Sequence, residues 1–134
     1  MGVGEAMIVA GIGCRRGTPA DAIMAAIEAA LARSGLAKGA LDVIATPATK
    51  GAEPGIAGAA SALGLPLVFI AQTDLEAAAD RTATRSERVI ALKGVPSVAE
   101  AAALAAGGAA ARLIAPRIAV GRATCALADT GASP

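Results

Sequence analysis

The sequence predicts an α/β layer fold in one domain, with a mostly parallel central sheet and helices on both faces. Antiparallel pairing is left open for the two late strands. Three observations carry this. Short apolar runs alternate with helical periodicity along the first half of the chain. Those runs are continuous in character, as in strands covered on both faces. The 134 residues contain no repeat and no low-complexity linker, and they suffice for one core. The domain is expected to span residues 1–134, with a core over about residues 6–128 and a small, polar, mobile tail from Asp129.

Each element follows in order. Met7-Ile8-Val9-Ala10 reads as a buried strand, followed by a glycine-rich loop over residues 11–18. Thr18 suits a helix cap, Pro19 the first helical position and Asp21 the first turn, opening a helix over about residues 19–33. Ile23, Ile27, Ala30 and Leu31 recur at i, i+4, i+7 and i+8, and Gly35 sits where a C-terminal glycine belongs. Residues 41–46 read as strand two and residues 47–53 as a loop. Pro54 opens a second helix that ends at Gly64. Leu67-Val68-Phe69-Ile70 reads as strand three, buried on both faces. Thr73-Asp74-Leu75-Glu76 has the spacing of a capping box and predicts a short helix to about Ala79. Residues 81–93 are ambiguous, with residues 89–92 fitting a short strand or a loop. Ser97-Val98-Ala99-Glu100 is a second capping box, opening a helix over residues 98–106 that stops at Gly107-Gly108. Residues 112–114 and 123–127 read as strands joined through Pro116 to Gly121.

Composition removes several chemistries. Histidine is absent, so no Ser-His or Cys-His dyad and no histidine metal ligand exists in this sequence. Cys14 and Cys125 are the only cysteines, lie far apart, and read as thiols without a metal cluster. No metal and no separate cofactor is expected. Phe69 is the sole aromatic residue, which leaves nothing for base stacking. A net charge of +1 supplies no field for non-specific nucleic-acid binding. Residues 54–73 carry no charge, yet Gly55, Gly58, Gly64 and Pro66 interrupt them, so they read as helix, turn and strand rather than a membrane span. The N-terminus lacks a basic segment and a cleavage site, and a cytoplasmic location is expected.

The richest stretch is Gly11-Ile-Gly13-Cys14-Arg15-Arg16-Gly17-Thr18. Glycines allow close backbone approach, and a helix N-terminus beside two arginines favours a phosphate or carboxylate. The stretch equally fits a tight strand-to-helix turn with solvated arginines. It lacks the lysine of a P-loop, and a dinucleotide loop would need glycine at position 16 and an acid earlier than Asp42. In an open α/β sheet ligands bind beyond the carboxyl ends of the strands. Residues 11–18, residues 47–53 and the segment after strand three should gather there, bringing Arg15, Arg16, Lys50 and Glu53 together.

The residues Gly11-x-Gly13-Cys14-Arg15-Arg16-Gly17, Lys50 with Glu53, Ser86, Gly94, the block from Ser97-Val98-Ala99-Glu100 to Leu104, and Thr124-x-Ala126 occur together and in order. Over residues 7–127 this set resembles the CobE/CbiG C-terminal domain family of cobalamin biosynthesis. That family often carries lysine where Arg117 stands here. The resemblance implies a tetrapyrrole or corrin-ring intermediate as ligand, held by its carboxylates, with other corrin-pathway enzymes as partners. Neither nucleic acid nor membrane is implied. The ligand-binding candidates are Gly11, Gly13, Cys14, Arg15, Arg16, Gly17, Thr18, Lys50, Glu53, Ser86, Ser97 and Glu100. Three roles stay open: a carrier or accessory factor; a hydrolase acting on a precorrin-5-type lactone, with Glu53, Glu100 or Cys14 as the catalytic group; and a phosphate- or nucleotide-binding domain. For Glu53 a loop salt bridge, and for Ser97 and Glu100 a helix cap, are equally physical readings.

Overall fold

The computed structural model describes residues 7–50, 53–82 and 97–130. In chain order it contains β1 (Ile8–Cys14), α1 (Ala20–Ser34), β2 (Val43–Pro47), α2 (Pro54–Leu63), β3 (Leu67–Ile70), α3 (Gln72–Ala77), α4 (Val98–Gly107), β4 (Arg112–Val120) and β5 (Ala123–Asp129). Short 3₁₀ turns occupy Lys38–Ala40, Ala48–Lys50 and Ala79–Arg81. The five strands form one sheet in the order β3-β2-β1-β5-β4. β1, β2 and β3 are mutually parallel, and β5 runs antiparallel to both β1 and β4. The fold is thus the expected three-layer α/β domain, with its antiparallel pairing confined to the late hairpin.

The two faces of β1 sort the core. Ala10 and Ile12 belong to the cluster built with α1 and α2, including Ile23, Ile27, Leu31, Ile44 and Ile56. Val9 belongs to the opposite cluster with α3 and α4, including Leu75, Ala101, Ala102 and Leu104. Gly11 and Gly13 lie on that second face, beneath α4. A Cβ on Gly11 would stand 2.0 Å from the Ala99 carbonyl oxygen and 2.7 Å from the Ala103 nitrogen. The alanines of α4 and the missing side chain of Gly11 therefore bring helix and strand backbones into direct contact. This contact lays the start of α4 over the carboxyl end of β1.

Several boundaries differ from expectation. β1 runs through Gly11 and Gly13 to Cys14, so the loop is only residues 15–18. Thr18 does not cap α1: Pro19 is the N-cap, and the Thr18 hydroxyl donates instead to the Arg15 carbonyl at 2.6 Å. Strand two occupies Val43–Pro47 rather than residues 41–46, because residues 38–40 coil into a 3₁₀ turn first. β3 is an edge strand, and Val68 and Phe69 are 36% and 50% exposed, so it is not covered on both faces. α3 starts at Gln72 with Ala71 as its N-cap and no side-chain cap, so Thr73 lies inside the helix. The chain already turns at the end of β3, and that tertiary exit overrides the local capping signal.

The late hairpin is longer than expected. Pro116 lies inside β4, where the register slips between Ala115 and Ile118. On an edge strand a missing N–H at a bulge costs the ladder nothing. Asp129 pairs with Ile8 and Thr130 donates its N–H to Met7, so the strand continues where a tail was expected. Residues 131–134, the ambiguous part of residues 83–93, Ser86 and Gly94 lie outside the described residues. Helix α2 matches expectation at both ends, with Pro54 in its first turn and Gly64 in the left-handed conformation as C-cap. Gly35 closes α1 the same way. No helix among the described residues is long and apolar enough to cross a membrane.

Candidate functional site

The rim at the carboxyl ends of β1 and β2 is built around residues 15–18. The Thr18 N–H donates to the Arg15 carbonyl at 3.2 Å, and Gly17 has φ +78°. No non-glycine described residue has positive φ, so Arg16 is on the ordinary side and the turn is type II, which requires glycine at its third position. Two neighbours hold this turn. The Glu53 carboxylate accepts the Gly17 N–H at 2.9 Å. On the other side the Arg15 N–H donates to the Arg122 carbonyl at 3.1 Å, in the turn between β4 and β5.

Packing reinforces the clamp. Glu53 is the N-cap of α2, and a Cβ on Gly55 would stand 2.1 Å from the Thr18 carbonyl oxygen. The start of α2 thus presses on the end of the loop, and only glycine permits it. Arg15 and Arg16 are exposed. Among the described residues neither forms a salt bridge; the ion pair present there, Lys38 with Glu28, lies elsewhere on the surface. Lys50 ends the 3₁₀ turn after β2, which places its backbone at the same rim.

The sequence-derived candidates separate into groups on this geometry. Arg15, Arg16, Gly17, Thr18 and Glu53 come together in one loop assembly. Gly11 and Gly13 lie within the strand. A Cβ on Gly13 would meet the Thr124 hydroxyl at 2.8 Å, so both glycines admit protein atoms rather than a bound molecule. Cys14 ends β1, half-buried, and neither it nor Cys125 is in a disulfide. Burial pushes the Cys125 thiol up to about 12 and marks it as core. The Thr124 hydroxyl donates to the Gly13 carbonyl at 3.2 Å, a strand-to-strand tie.

Ser97 and Glu100 begin α4 above this rim, and both are fully buried. Ser97 Oγ accepts the Glu100 N–H at 3.4 Å, the first half of the capping box. The Glu100 carboxylate accepts the Arg117 N–H at 2.8 Å. That donor sits in the register slip of β4 beside Pro116, where the ladder toward β5 is interrupted. The buried carboxylate thus satisfies a backbone group that the bulge releases.

A hollow of about 400 Å³, open to solvent, is lined by Asp74, Ala77, Ala78, Arg81, Ala105, Gly108 and Ala109. It lies at the opposite end of α4 from the rim. There the Arg81 guanidinium caps the helix by donating to the Gly108 and Ala111 carbonyls at 3.1 and 3.2 Å. Arg122 belongs to none of the motifs in the sequence; its local signal is the Gly-x pair between two apolar runs, which marks a hairpin turn.

Comparison with known proteins fits this arrangement. The family model described as cobalamin synthesis G C-terminus matches residues 8–128. Protein CobE from a Sinorhizobium species is 43% identical over 121 residues, which cover 90% of this chain and 79% of that protein. A crystal structure of CobE, a protein from the cobalamin (vitamin B12) biosynthetic pathway, superposes with a TM-score of 0.89 at 35% identity, covering 97% of this chain and 94% of that one. The crystal structure of cobalamin biosynthesis protein chiG from Agrobacterium tumefaciens gives a TM-score of 0.72 at 50% identity, covering 91% and 97%. The chain belongs to the cobalamin synthesis G C-terminus family and is a cobalamin biosynthesis protein of that family.

Proposed function

We propose that this chain binds a tetrapyrrole or corrin-ring intermediate through its carboxylates and serves the pathway as a carrier or accessory factor. The observation that supports this most is the clamped turn at residues 15–18. It presents two adjacent, exposed arginines without an acidic partner among the described residues, at the strand ends where α/β sheets hold ligands. A ring intermediate of corrin synthesis carries acetate and propionate groups around its edge. The planar fork of arginine donates two parallel hydrogen bonds to such a carboxylate. Holding the loop from both sides lowers the ordering cost that binding would otherwise carry.

Two of the three candidate catalytic groups, both carboxylates, are already engaged in the fold. Glu53 accepts the Gly17 N–H and Glu100 accepts the Arg117 N–H. This favours binding over opening of a ring lactone. The test is a visible-spectrum titration with cobyrinic acid. A shift is expected with the wild-type chain, and Arg15→Ala with Arg16→Ala weakens it by about tenfold or more. A spectrum that stays unchanged with every pathway ring acid would defeat the proposal. A changed product mass would replace it with catalysis, and thermal stabilisation by ATP without any by ring acids would replace it with nucleotide binding.

A further inference from the structure

The turn joining β4 to β5 consists of Gly121 and Arg122, since Val120 pairs directly with Ala123. Gly121 has φ +60° and Arg122 has no positive φ, which makes this a type II′ hairpin turn. Cys14 pairs with Ala123, so the turn stands beside the end of β1. The Arg15 N–H to Arg122 carbonyl bond then extends the β1–β5 ladder one step past the strands. Arg15 and Arg122 therefore spring from adjacent backbones, about 4.8 Å apart in the hydrogen-bonding direction. Their spacing is set by the sheet rather than by a flexible loop.

The two ends of the central strands differ in charge content: Arg112 of β4 stands opposite Asp129 at the amino end of β1, whereas three arginines meet at its carboxyl end. Asp42 and Asp129 lie at the amino end of β1, where Asp42 accepts the Ile8 N–H and Asp129 pairs with Ile8. Arg15, Arg16 and Arg122 lie at the carboxyl end. All three are exposed and without a salt bridge among the described residues. One carboxylate needs one arginine. Cations rooted on two neighbouring strands suit a ligand that carries several carboxylates on a rigid frame.

We infer that Arg122 is a ligand-binding and specificity-determining residue of this rim, holding a second carboxylate of the ring. The inference rests on the function proposed above. Its structural bond to Arg15 runs through its carbonyl, so a side-chain substitution leaves the turn and the clamp in place. Arg122→Ala separates recognition from folding for that reason.

The test compares two corrinoids on the full chain: cobyrinic acid, with free carboxylates, and cobinamide, in which the peripheral acids are amides. Arg122→Ala should weaken cobyrinic acid binding about tenfold, equal to about 1.4 kcal/mol. It should leave cobinamide binding within about twofold and the melting temperature unchanged. Arg122→Lys should recover part of the affinity, because it keeps the charge and loses the fork. Unchanged cobyrinic acid affinity in Arg122→Ala, with binding still weakened by Arg15→Ala plus Arg16→Ala, overturns this inference and leaves the proposed function standing. Equal losses for both corrinoids, or a lowered melting temperature, also overturn it. A wild-type chain that binds no ring acid removes both.

Discussion

Gly11→Ala tests the contact on which the position of the rim depends. The added Cβ would stand 2.0 Å from the Ala99 oxygen, 2.7 Å from the Ala103 nitrogen and 2.9 Å from the Ala103 Cβ. Two of these are backbone atoms of one helix, so no side-chain rotation relieves the overlap. The gap must widen from 2.0 Å to the 3.4 Å at which ordinary contact begins. Only displacement of α4 or of the central strand achieves that, and both are buried on this face. Overpacking in a core costs about 1–3 kcal/mol and sometimes more, and a backbone obstacle puts this case at about 3 kcal/mol or above. For a domain of this size the melting temperature should fall by about 10 °C or more. Thermal unfolding followed by circular dichroism measures it. Gly39→Ala is the control: nothing lies within 4 Å of that position and its φ is ordinary, so the expected change is within about 1 kcal/mol. A Gly11→Ala protein melting within about 2 °C of wild type would refute the packing described here.

Two further predictions concern buried groups. Glu100→Ala removes the acceptor of the Arg117 N–H and should cost about 2–3 kcal/mol, whereas Glu100→Gln keeps an acceptor and should cost about 1 kcal/mol or less; equal denaturant midpoints would contradict the bulge-satisfying role. Burial raises the Cys125 thiol from 9.0 in the unfolded chain to about 12 in the fold, so the native state keeps a proton that the unfolded state releases. Its stability contribution is complete below pH 9 and is lost as pH rises through that window, by roughly 4 kcal/mol in all. Denaturant midpoints taken from pH 8 upward should fall less steeply for Cys125→Ala, and identical slopes would exclude this cause.

What was legible in the sequence followed local chemistry. Gly35, Gly64, Pro54 and Ser97 mark helix ends that depend on neighbours within one turn, and each stands where expected. The stripe Ile23, Ile27, Ala30 and Leu31 is buried as its period requires. The misreadings arose where distant atoms decide. Gly11 and Gly13 look like loop glycines until α4, almost ninety residues on, is laid across them. Pro116 looks like a strand breaker until β4 proves to be an edge with a bulge. The exposure of Phe69 follows from strand order, which four apolar residues cannot report. In the candidate site, Arg15, Arg16, Gly17 and Glu53 were found from spacing and composition. The bond from Arg15 to Arg122 joins segments over a hundred residues apart, so no local pattern announces it.

The bare seam between β1 and α4 has a mechanical consequence. Side chains normally cushion a helix against its sheet and let it slide by changing rotamers. Here the Ala99 carbonyl and the Ala103 amide lie directly on Gly11, with the short Ala103 methyl group beside them, so the helix start and the strand end travel as one piece. Any rearrangement of the domain is then pushed outward, into the segments that hang from this stiff spine.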